Sequence, residues 1–232
     1  MASGMSSDNG DISHYSNQSI SQHHKYNTST VKSIIASAVA LLSITSSVSA
    51  QTTQSKPFTL EIQSSNKTLN GKALTSCHEG AALEGLCIGN APSQAYQFNT
   101  TDGQIVTNKD LGKSGVLTYE LQGSNFESSQ GMGFIYNPST NVAHAQFGTY
   151  QTAQIGFDKS NKLYVPSYYD DTVSPPKQGT ETALYHWYIC NYAYAAYGYE
   201  TLNFVIGNGK PQNPSCEKVD VVRKAVKSGY KA

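Results

Sequence analysis

Apolar and polar positions alternate along most of this chain. In "FTLEIQS", residues 58 to 64, Phe58, Leu60 and Ile62 are set between polar neighbours, the period-two pattern of a strand with one buried face. "GVLTYELQ" alternates again, Val116, Thr118 and Glu120 against Leu117, Tyr119 and Leu121. "AYQF", "TTDG" and "QIVT" predict a strand, an Asp-Gly turn and a second strand. "GMGFIY", "NPSTN" and "VAHAQF" predict another hairpin, as do "AQIGF", "DKSNK" and "LYVPS". With "LYHWYIC", "YETLNFVIG" and "EKVDVVRKAV" the total is about twelve short strands separated by turn residues.

No stretch keeps an apolar face at helical spacing over three turns, and only "EGAALEGL" and "AYAAYG" look locally helical. The fold class is therefore all-β, a single compact antiparallel domain built as a β-trefoil-like barrel or a β-sandwich. Similar hairpins at Phe98–Ile105 and Phe157–Leu163 favour the trefoil-like barrel, although the candidate repeats are unevenly spaced. "LYHWYIC" carries Leu184, His186, Tyr188 and Cys190 on one face and Tyr185, Trp187 and Ile189 on the other. Both faces are largely apolar, which predicts a central strand.

The N-terminal region departs from this pattern. Residues 1–31 form a polar leader with almost nothing apolar to bury, so disorder is expected there. Residues 32–50 read as a signal peptide, with Lys32, an apolar run from Ile34 to Leu42, and Val48-Ser49-Ala50 before the cut. The alternative, a membrane anchor, is weakened by Ser37, Ser43, Thr45, Ser46 and Ser47, which interrupt the run. The expected layout is then a short linker at 51–57, the β domain at 58–226 and a flexible tail at 227–232. That makes the protein secreted and extracellular, with no stable membrane insertion after cleavage.

From Gln51 onward, thirteen lysines and one arginine balance fourteen Asp and Glu. A neutral chain with a single arginine lacks the basic footprint of a nucleic-acid binder. All four cysteines, Cys77, Cys87, Cys190 and Cys216, follow the cut, and an even count in an exported chain predicts two disulfides. Of three pairings, the most local joins Cys77 to Cys87 and Cys190 to Cys216. The two loops it closes are worth roughly 2.8 and 3.6 kcal/mol in the chain-entropy account. Asn66-Lys67-Thr68 and Asn99-Thr100-Thr101 are glycosylation sequons, whereas proline blocks Asn137 and Asn213.

In "SCHEGAALEGLC", Cys77, His78 and Glu79 stand side by side. A nucleophile would need a reduced thiolate, which oxidation removes. A metal site would need ligands at a recognised spacing, and the chain has no H-E-x-x-H and no C-x-x-C. The stretch reads as a disulfide-closed loop with Gly80 and Gly85 as bends, and no metal, cofactor or catalytic residue is assigned. "DLGKSG" fails as a phosphate loop because Thr107 stands where a glycine is required, and Gln212 spoils "GNGKPQ" as a dinucleotide motif.

Two regions remain as candidate ligand sites. "PSYYDDT" places the carboxylates Asp170 and Asp171 after two tyrosines. Neighbours on a strand face opposite ways, so they would share one ligand only if a turn brought them together. Otherwise Asp170 and Asp171 would cap backbone amides in a solvated turn. Trp187 with Tyr192, Tyr194 and Tyr197 forms an aromatic segment that either packs the core or stacks on sugar rings.

"SCHEGAALEGLC", "LYVPSYYDDTVSPP" and "GNGKPQNPSCEKVDV" resemble the signature blocks of a family of secreted proteins from filamentous ascomycete fungi, a domain of unknown function. The likeness runs from Phe58 to about Val226. The general layout is also distantly similar to a fungal phialide cell-wall protein, with different cysteine spacing. The resemblance implies no catalytic residues. The combined expectation is a non-catalytic extracellular or cell-wall protein with a structural or polysaccharide-binding role. One rival is a glycan hydrolase using Asp170 or Asp171 with Glu79 or Glu84; another is an effector or inhibitor that binds a partner protein.

Overall fold

The computed structural model describes residues 52–89 and 94–226. The leader 1–31, the signal segment 32–50, Gln51 and the tail 227–232 lie outside the described residues. Fifteen strands follow in chain order. They are β1 (Thr52–Gln54), β2 (Phe58–Gln63), β3 (Ala73–Gly80), β4 (Leu83–Gly89), β5 (Gln97–Thr101), β6 (Ser114–Gln122), β7 (Glu127–Tyr136) and β8 (Val142–Phe147). Then come β9 (Ile155–Phe157), β10 (Leu163–Asp170), β11 (Lys177–Leu184), β12 (Trp187–Tyr194), β13 (Tyr197–Val205), β14 (Glu217–Lys218) and β15 (Asp220–Ala225).

Every pairing is antiparallel, and one continuous sheet runs β11-β10-β9-β6-β7-β8-β13-β4-β3-β2-β15. β1 and β5 branch from β6, and β12 and β14 branch from β13. The sheet curls into a half-barrel, so the all-β single domain expected from the alternation is present. Phe58, Leu60, Ile62, Leu74, Leu117, Met132, Phe147, Trp187 and Leu202 pack together in its core. These are the inward members of the alternating strands, and at roughly 1.5–3 kcal/mol each their burial supplies the main driving force.

Both disulfides take the local pairing, Cys77–Cys87 and Cys190–Cys216, and no free cysteine remains. Among the described residues no helix is long and apolar enough to cross a membrane.

Several local expectations need correction. The stretch from Cys77 to Cys87 is a β3–β4 hairpin rather than a loop, with Cys77 opposite Gly85 and Thr75 opposite Cys87. Gly85 is no bend; it lies inside β4, and a methyl group there would press on the Glu79 carboxylate. Neither "EGAALEGL" nor "AYAAYG" is helical. Their alanine pairs are two-residue hairpin turns, in which Ala82 (φ 58°) and Ala195 (φ 51°) take a left-handed backbone. Cross-strand pairing on either side outweighs alanine's helix preference.

That backbone strain is relieved by glycine. Ala195→Gly is expected to raise the unfolding free energy by about 0.5–1 kcal/mol, read as a higher urea midpoint at unchanged slope.

"QIVT" is not a strand, although Gly103 makes the expected turn (φ 77°). Its polar side chains divide instead: Gln104 donates to the Ser114 hydroxyl on β6, and Thr107 Oγ1 accepts the Glu181 N–H from β11, where the following Asn108 donates to the Glu181 carbonyl. "LYHWYIC" is split between β11 and β12, with Tyr185 and His186 between them. Part of the expected 51–57 linker is β1, which pairs with β5 through Thr52↔Thr101 and Gln54↔Asn99.

Candidate functional site

β10 and β11 form a hairpin at one end of the sheet. Its register shifts between Ser167 and Tyr169 and then sets Asp170 across from Lys177. The irregularity lies on β11, where Gly179, Thr180 and Glu181 stand opposite Tyr168 alone. Tyr169 is exposed, while Tyr168, also partly exposed, donates a hydrogen bond to the Glu181 carboxylate. Together with Ile206 and Gly207 after β13, the hairpin encloses a cavity of about 530 Å³.

Asp170 ends β10 and Asp171 opens the turn, so the chain reversal places both on this one cavity. Asp170 also caps the turn as expected. Its Oδ1 accepts from the Thr172 N–H at 3.0 Å and the Thr172 hydroxyl at 2.6 Å. Those two bonds hold its carboxyl below the ordinary range, with a smaller contribution from Lys177. Tyr169 (58% exposed) and Ile206 (45% exposed) stand on the cavity rim. Lys177, Thr180, Thr182 and His186 supply further polar lining, and the His186 Nδ1–H donates to the Val205 carbonyl at 3.2 Å.

The aromatic segment divides. Trp187 is fully buried, its Nε1–H donating to the Leu163 carbonyl at 2.9 Å while the ring packs on Phe134 and Phe204. It therefore leaves the set of ligand-binding candidates, because its position in β12 turns it toward the core. Tyr192, Tyr194, Tyr197 and Tyr199 share one face of the β12–β13 hairpin and pair as Tyr192↔Tyr199 and Tyr194↔Tyr197. They are half-buried against the protein. The Tyr192 ring stacks on His144 with centroids 4.1 Å apart, Tyr197 meets His78 edge-on, and the Tyr199 hydroxyl donates to the His78 carbonyl. Burial, then the charge of Glu79, raises the Tyr192 phenol pKa.

Cys77, His78 and Glu79 do not act together. His78 reaches Glu84 at 3.2 Å, while Glu79 crosses to β8, where its Oε2 meets His144 Nε2 at 2.8 Å and accepts from Gln146 Nε2 at 2.7 Å. His144 Nδ1 lies 3.3 Å from the Thr201 hydroxyl, and Asn203 Nδ2 donates to the Thr201 carbonyl and hydroxyl. This Thr201–His144–Glu79 line has the form of a relay. Its members are fully or almost fully buried beneath Tyr192, however, so a substrate cannot reach the hydroxyl. Neither Glu79 nor Glu84 lines the cavity of Asp170 and Asp171, so the acid/base pair of the hydrolase rival is not assembled.

One buried acid escaped sequence reasoning. Glu181 on β11 is 2% exposed and sits 3.5 Å from the Tyr164 hydroxyl, which also donates to the Gly112 carbonyl at 2.9 Å. Burial raises the Glu181 carboxyl pKa, opposed by hydrogen bonds from Tyr168 and Tyr164. Within "KQGTETAL" nothing distinguishes it from its polar neighbours; only the overlying 107–112 segment encloses it. No group of three or more His, Cys, Asp or Glu among the described residues could hold a metal ion.

A sequence profile described as a domain of unknown function (DUF7907) matches residues 55–225. No curated protein and no solved structure matches the chain.

Proposed function

The chain belongs to the DUF7907 family of domains of unknown function, and from that premise we propose that it is a secreted, non-catalytic protein that holds a polysaccharide in the β10–β11 cleft. The observation that carries this reading is Tyr169 and Ile206 exposed over a cavity that ends in Asp170 and Asp171. Apolar side chains gathered at a concave site mark a place for a ligand. A pyranose offers C–H groups on its face and hydroxyls at its edge, which match a tyrosine ring beside carboxylates. Secretion is supported by the two disulfides, which persist in oxidising compartments. Glycosylation at the sequons Asn66 and Asn99 is part of this reading; Asn66 lies in a turn where its Oδ1 accepts from Thr68 and its Nδ2 donates to Glu217, and Asn99 lies on β5. A place in the cell wall belongs to the same reading.

Immobilised chitin, β-glucan and mannan test it. The purified domain is expected to stay on at least one polymer, and Tyr169→Ala is expected to weaken retention roughly tenfold while leaving the fold intact. Release of reducing ends that disappears in Asp170→Asn would show a hydrolase instead. Failure to bind any of the three would point to a protein partner.

A further inference from the structure

The charge around the cleft is uneven. Asp170 faces Lys177 across the hairpin register, so one carboxylate has an ammonium group opposite it. The Asp171 carboxylate takes no hydrogen bond and no ion pair among the described residues, yet it lines the same cavity. Thr172 donates twice to Asp170, which favours its ionised form. The cavity therefore keeps one uncompensated negative charge beside the exposed rings of Tyr168 and Tyr169. From Gln51 onward the chain is neutral, so a cationic polymer gains no attraction from the molecule as a whole.

We propose that the cleft prefers an amino-sugar polymer bearing free ammonium groups to neutral or acidic polysaccharides. The proposal rests on the polysaccharide reading and names its substrate class. The sugar's C–H face lies on Tyr169, and its ammonium group, a donor and a charge in one, meets Asp171. An N-acetylated sugar of the same shape keeps the stacking and loses the charge; a uronate places like charges together.

Calorimetry on the whole secreted protein in mildly acidic buffer tests this, with a glucosamine hexamer and a fully N-acetylated hexamer as probes. The free-amine hexamer is expected to bind about three- to tenfold tighter, a preference that shrinks in high salt. Asp171→Asn is expected to erase the difference by weakening the free-amine hexamer more than the N-acetylated one, while Tyr169→Ala weakens both by the same factor. Equal wild-type affinities, or a preference that survives Asp171→Asn, would overturn the proposal and leave the polysaccharide reading standing. A lysine hexapeptide that binds as tightly as the free-amine hexamer would overturn it in favour of a cationic peptide. Binding of neither hexamer would overturn the amino-sugar preference, and only if chitin, β-glucan and mannan also fail to retain the protein would the polysaccharide reading fall with it.

Discussion

His144→Ala is expected to lower the unfolding free energy by about 3–5 kcal/mol, the cost of taking a hydrogen-bond partner from the buried Glu79 side chain and leaving a cavity where the imidazole stood. The side chains of Glu79 and His144 are 1% and 0% exposed, respectively. Without the imidazole, the Glu79 carboxylate keeps the Gln146 amide but loses its other partner, and the Thr201 hydroxyl and the Tyr192 ring lose their neighbour. Glu79→Gln is expected to be milder, because the amide keeps the shape and one hydrogen bond. Equilibrium unfolding in urea reads both effects, and the double variant should lose less than the sum of the two. A loss below about 1 kcal/mol in His144→Ala would show that this line of polar groups does not organise the β3, β8 and β13 strands.

Trp187→Ala is expected to cost a similar amount, about 3–5 kcal/mol. It removes the largest fully buried side chain and leaves the Leu163 carbonyl without its donor. Trp187→Phe keeps most of the packing and should lose roughly half as much. At a temperature where Trp187→Phe remains folded, its affinity for polysaccharide should equal that of the parent protein. Reduced affinity in a fully folded Trp187→Phe would mean that the ring, despite its burial, shapes the cleft.

The strands that alternate, such as β2 and β6, could be read from the chain, because period two has few competing explanations, whereas β8, buried on both faces, was marked by the turn before it. The disulfide pairing was readable for a related reason, since short loops close most easily. The turns were harder. In "AYAAYG" nothing local announces a left-handed alanine, and the hairpin exists because eight residues on each side pair in register from Trp187↔Phe204 to Tyr194↔Tyr197. The polar groups of the interior were harder still. Glu79 and His144 are separated by 65 positions, and no spacing rule connects residues whose proximity is set by the order of strands. For the candidate site, Asp170 and Asp171 were legible as a pair of carboxylates. Their shared direction depends on where β10 stops, and that boundary is a property of the hairpin register.

Both cystines sit on β3, β4, β12 and the segment before β14, and none reaches the β10–β11 arm. Within the sheet that arm continues only into the three-residue β9, with a single bridge, Lys162↔Val222, tying its base to β15. The inner half of the arm is held by Thr107 and Asn108 on Glu181 and by Trp187 on the Leu163 carbonyl, so its outer end, from Tyr169 to Gly179, is the part that neither a cystine nor a third strand fastens. Amide protons at the outer end of β11, Lys177 to Thr180, should therefore exchange with solvent well before those of β8 or β13.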